Sequence, residues 1–156
     1  MKYTLVLSFC FLCSLSTYGQ DASEVRKKHY NHKKGLAIQG YDPVAYFTEN
    51  KAKKGSKNIT YTHNGITYRF SSNKNLNLFK AEPSKYEPTY GGWCAYAMGV
   101  DGDKVSIDPE TFKIKDGKLY LFYNRFFINT LTKWNKDESN LQSKADKYWK
   151  KTVNSE

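Results

Sequence analysis

Apolar and polar residues alternate at every second position in two stretches of the chain and recur at helical spacing in three others. Ile59-Thr60-Tyr61-Thr62-His63 and Ile66-Thr67-Tyr68-Arg69-Phe70 flank Asn64-Gly65. β-branched and aromatic residues on both sides of Asn-Gly predict a two-residue hairpin. In its second arm Ile66, Tyr68 and Phe70 alternate with Thr67 and Arg69, so one face is apolar. Thr111 to Lys115 and Lys118 to Tyr123, around Asp116-Gly117, predict a second hairpin for the same reason. Ser71-Ser72 ends the first hairpin and caps a helix from about Asn73 to Ala81, with Leu76 and Phe79 inward and Pro83 beyond its end. Leu36 to Tyr41 reads as a short strand, and Asp42-Pro43 then reads as the start of a helix, capped by the carboxylate and opened by the fixed φ of proline. Trp93 to Ala97 fits a strand or a short helix equally. Asn124 as a cap, with Phe127, Ile128, Leu131 and Trp134 at helical spacing, predicts a helix over Arg125 to Asn135. Leu141, Ala145 and Trp149 predict a last helix from about Glu138 to Lys150. The class that follows is α+β: a small antiparallel sheet from two hairpins, a short packed helix and two C-terminal helices.

The N-terminal pattern is of another kind. Lys2 precedes an apolar run from Leu5 to Leu15, and Thr17-Tyr18-Gly19 follows. A removable export signal over residues 1–19 is expected, cut after Gly19 or Gln20. The run is too short for a bilayer core of roughly 30 Å, which needs about 20 residues, so no transmembrane helix is expected in the processed chain. Leu12 before Cys13 argues against a lipoprotein. The expected location is periplasmic or secreted. Beyond the signal, the pattern divides into a basic lead-in over 20–35, a domain over 36–124 and a helical extension over 125–156.

Charge adds one point to this picture. Lys and Arg number 25 against 15 Asp and Glu, a net +10, and processing removes Lys2 and no acid. Much of the excess lies between Arg26 and Lys57. An exported protein rarely meets nucleic acid, so the readings left are a solvated face or affinity for an anionic surface.

Processing also removes Cys10 and Cys13 and leaves Cys94, which cannot close a bridge within its own chain. Three roles are open to it: a small buried hydrophobe, a metal ligand or a reactive thiol. Its neighbours are aromatic and uncharged and supply no source of activation. With His63 at the hairpin tip, Cys94 would suit copper or zinc. His29 and His32, three apart, would share the face of a helix. Tyr41, Tyr90, Trp93 and Tyr96 are candidates for a shallow aromatic ligand pocket, with core filling as the alternative. Gly-x-Ser-x-Gly, phosphate-loop and His-Glu-x-x-His patterns are absent from the sequence.

Several pieces recur in a familiar order: Gly40-Tyr41-Asp42-Pro43-Val44-Ala45-Tyr46-Phe47, Tyr68-Arg69-Phe70-Ser71-Ser72, then Phe79, Pro83, Tyr86, Pro88 and Tyr90-Gly91-Gly92-Trp93-Cys94-Ala95. Through them, and through Asp108-Pro109 and Asp116 to Asn124, the chain resembles the exported branch of the YHS domain family over roughly Leu36 to Asn124. The resemblance implies a compact α+β domain and a link to heavy-metal handling. The metal-associated branch has cysteines where this chain has Ala45, Ser71 and Asn75, so that thiolate site does not carry over. The function expected is an exported YHS-type binding module, non-enzymatic, holding a transition metal through Cys94. The alternative is a metal-free structural or protein-interaction domain of the cell envelope.

Overall fold

The computed structural model describes residues 15–155, so most of the expected export signal lies outside the described residues. Helix α1 (Leu15–His29) runs from the end of the expected export signal into the lead-in, and the short strands β1 (His32–Lys33) and β2 (Leu36–Ala37) follow. A single 3-10 turn over Ile38–Gly40 replaces the rest of the strand expected up to Tyr41. Helix α2 (Pro43–Thr48) starts as predicted, with the Asp42 side chain accepting from Val44 N and proline in the first turn. Strands β3 (Ser56–His63) and β4 (Ile66–Phe70) form the first hairpin, and α3 (Asn73–Ala81) follows under a Ser72 cap. Helix α4 (Pro83–Tyr86) and a 3-10 turn over Thr89–Gly92 lead to α5 (Ala95–Val100), so the ambiguous Trp93 region resolves partly as helix.

Strands β5 (Asp108–Lys115) and β6 (Lys118–Phe122) form the second hairpin. The two hairpins do not share one sheet. β4 pairs with β3 on one edge and, in parallel, with β2 on the other, giving a mixed four-stranded sheet of order β1-β2-β4-β3. The strand with the apolar face therefore has no edge left for β5 or β6, which remain a two-stranded pair. Bridges Pro88↔Leu119 and Cys94↔Leu121 tie that pair to the middle of the chain.

A further hairpin, β7 (Asn124–Arg125) and β8 (Ile128–Asn129), stands where a helix from Arg125 was expected. The helical spacing of Phe127 and Ile128 was fortuitous, since both side chains face solvent. The cap is Asn129, whose side chain accepts from Leu131 N, and α6 (Thr130–Trp134) begins after it. Helix α7 (Glu138–Asn154) runs beyond its expected end.

β6 organises the core because both of its faces are buried. Leu119 and Leu121 join Ile66, Tyr68, Phe70, Phe79 and Cys94 in one cluster. Tyr120 and Phe122 point the other way, into a second cluster with Tyr90, Met98, Trp134, Leu141 and Ala145. The C-terminal helices thus cover a face of β6 that would otherwise meet water. Among the described residues no helix is long and apolar enough to cross a membrane.

Candidate functional site

Cys94 reaches its place through a tight bend. Tyr90, Gly91 and Gly92 all take positive φ, and a Cβ on Gly91 would lie 2.7 Å from Trp149 and 3.0 Å from Tyr30. The bend delivers Cys94 to the floor of the first core cluster with no solvent exposure. Thr130 Oγ1 donates to Tyr123 O at 2.9 Å and lies 3.3 Å from Cys94 Sγ. A hydroxyl has one hydrogen, so the thiol donates to Thr130 while Tyr123 N donates to the sulfur at 3.4 Å. Cys94 is a thiol with its donor and acceptor both used.

The other sequence-predicted ligands lie elsewhere. His63 ends β3, packs against Tyr61 and Phe79, and has Asn64 Nδ2 3.3 Å from its Nε2. His29 and His32 do not share a helix face, because α1 stops at His29 and His32 belongs to β1. His29 is buried, and its Nδ1 accepts from Lys104 Nζ at 3.0 Å, which makes it the neutral tautomer with hydrogen on Nε2. Burial first, then the charges of Lys104 and Lys28, hold its pKa below the ordinary imidazole value. Among the described residues no three His, Cys, Asp or Glu side chains gather as a metal site. Cys94 and His63 belong to no such group of three among the described residues.

Ser71 and Asn75 come together around the carboxylate of Asp42. Asp42 is fully buried. Its Oδ1 accepts from Val44 N at 2.9 Å, and its Oδ2 accepts from Ser71 N, Ser71 Oγ and Asn75 Nδ2, each at 2.7 Å. Four donors satisfy the carboxylate and join α2, the end of β4 and α3. The cluster is a closed polar tie with no open ligand position.

The four aromatic candidates do not line one pocket. Tyr41 donates to Glu110 at 3.0 Å and Tyr90 to Asp146 at 2.9 Å, each with its ring in a different cluster. Tyr96 is half-buried between the clusters. Trp93 donates to His29 O at 2.7 Å and turns one face to a cleft.

That cleft is larger than a second one. The smaller, about 420 Å³, is occupied at its wall by Arg26, which stacks on Tyr30 and pairs with Glu87, itself accepting from Tyr68. The larger, about 880 Å³, is lined by Lys33, Lys34, Arg69 and Arg125, by His32, Asn31, Gln39 and Ser106, and by Leu36, Ile38, Trp93 and Ile107. No carboxylate is among its lining residues. Among the described residues none of its four permanent cations forms an ion pair, although six such pairs occur elsewhere. Lys33 and Lys34 belong to the basic run visible in the sequence. Arg69 gave one faint signal, a charge among threonines on the polar face of β4. Nothing in the sequence announces that Arg125 joins it.

The chain's motifs and geometry stand without a relative to read them by: no family model, no curated protein and no solved structure matches the chain.

Proposed function

We propose that this chain is an exported, non-enzymatic binding module on a YHS-type scaffold, and that its ligand is an anion with an apolar body held in the basic cleft. The observation that carries the reading is the cleft's charge: Lys33, Lys34, Arg69 and Arg125 line it with no carboxylate among them. Like charges gathered without counterions repel, and an anion relieves that repulsion. A guanidinium fork such as that of Arg69 matches phosphate or carboxylate with two parallel hydrogen bonds. Trp93, Leu36 and Ile107 supply the apolar lining that small-molecule sites use. Export is supported by the N-terminal apolar run, and the scaffold by the order of its motifs. The metal reading has weaker support, because the Cys94 thiol is committed to Thr130 and Tyr123.

The test is a titration of the full chain with octyl phosphate, followed through tryptophan emission. Saturable binding is expected, and Arg69→Gln and Arg125→Gln should each weaken it about tenfold, the scale of one charge-assisted contact. Binding that survives both substitutions unchanged overturns the assignment of the cleft. Stoichiometric uptake of copper or zinc that Cys94→Ser abolishes would return the metal to first place.

A further inference from the structure

Four hairpins in this chain turn through two residues with positive φ at both. In three of them the second residue is glycine: Lys34-Gly35, Asn64-Gly65 and Asp116-Gly117, with Asn and Asp also suited to that conformation. In the fourth the pair is Phe126-Phe127, with φ of 51° and 65°. Bulky residues adopt this region at a cost, and such strain persists where function holds it. The rings gain nothing in return within the chain. Phe126 is 84% exposed and Phe127 110%, with Ile128 beside them at 44%, the most exposed large apolar side chains among the described residues. Neither backbone preference nor burial accounts for two phenylalanines at this tip.

The surroundings narrow the partner. Arg125, the residue before the tip, lines the basic cleft with Lys33 and Lys34. No acidic residue occurs between Asp116 and Asp137. Two rings on a two-residue tip make a convex point, and a fluid interface closes around such a point without a preformed socket. Apolar side chains flanked by cations are the pattern that enters the boundary between acyl chains and anionic headgroups. We infer that the β7–β8 hairpin is a membrane-contact finger: Phe126 and Phe127 enter the interfacial layer of an anionic bilayer while Arg125 and the neighbouring lysines meet headgroup phosphates. The finger shares Arg125 with the cleft but stands on the turn itself, and it does not require the cleft to bind a small anion.

Phe127→Trp in the full chain, mixed with vesicles, tests this directly. In equimolar phosphatidylcholine and phosphatidylglycerol, the emission added by the new indole should shift to the blue and be quenched by a lipid carrying a shallow nitroxide. In phosphatidylcholine alone it should do neither. Phe126→Asn/Phe127→Gly, which gives this turn the pair found at Asn64-Gly65, should lower co-sedimentation with the anionic vesicles about tenfold. The apolar N-terminal run contributes equally to every variant, and an indole at the tip reports its own depth however the rest of the chain is held. Emission unchanged by anionic vesicles overturns the proposal, as does an equal response to phosphatidylcholine alone. Self-association without lipid, lost in the Asn-Gly variant, would overturn it in favour of a second copy of the chain. Failure of octyl phosphate to bind leaves these readouts unaffected, so the two readings fail separately.

Discussion

At Cys94 the fate of one hydrogen separates a structural thiol from a reactive one. Because Thr130 spends its hydroxyl hydrogen on Tyr123 O, the sulfur keeps its own and gives it to Thr130. Alkylation followed by peptide mapping should label Cys94 only when the chain unfolds; rapid labelling under native conditions would refute the assignment. Asp42 holds four donors in a place without solvent. Asp42→Ala strands them, and a loss of about 3 kcal/mol in chemical denaturation is expected. His29 carries a pH effect whose sign follows from its lowered pKa. Between its folded value and the ordinary value of about 6.5 the unfolded chain binds more protons, so stability is complete above that pH and falls below it. His29→Gln should remove this slope from a series of melting temperatures against pH. Glu138 acts in a separate, more acidic window. Burial alone would raise its pKa, but bonds from Lys113 and Trp134 outweigh burial and lower it, so its contribution is lost only as pH falls through the carboxylate range.

At the level of elements, the sequence was most readable where backbone conformation selects the residue. Asn64-Gly65, Asp116-Gly117, the Ser72 cap and Asp42-Pro43 each mark the feature that the structure has there. It was least readable at Asn124 to Asn129, where phenylalanines occupy positions that favour glycine and asparagine, and a helical apolar spacing arose by coincidence. The same mismatch makes a stability prediction: Phe126→Asn/Phe127→Gly relieves the turn and should stabilise the chain by about 1 kcal/mol in urea denaturation. A destabilised variant would mean that the rings pack in solution in a way their exposure does not suggest. The Tyr90-Gly91-Gly92 bend shows the opposite case, a glycine required by space. Gly91→Ala would drive a methyl into Trp149 and Tyr30 at a positive φ, with an expected loss of about 2 kcal/mol.

For the whole molecule, the α+β class, the packed helix and the C-terminal helices follow from periodicity alone, but their assembly does not. That β2 takes the free edge of β4, and so excludes the second hairpin, is a long-range pairing that the strand read at Leu36 does not specify. That Arg69 and Arg125 line one cleft is likewise a product of the fold. The double-faced burial of β6 makes α7 part of the core, and removing residues 138–156 should abolish cooperative unfolding by uncovering Tyr120 and Phe122. Paired calorimetric titrations test the sign of the ligand's charge most directly. Octyl phosphate should bind the full chain saturably, with affinity falling as salt is raised, while octyltrimethylammonium, with the same apolar body and the opposite charge, should give no saturable heat. Equal binding of the two amphiphiles, or preference for the cation, would contradict an anion site in the basic cleft.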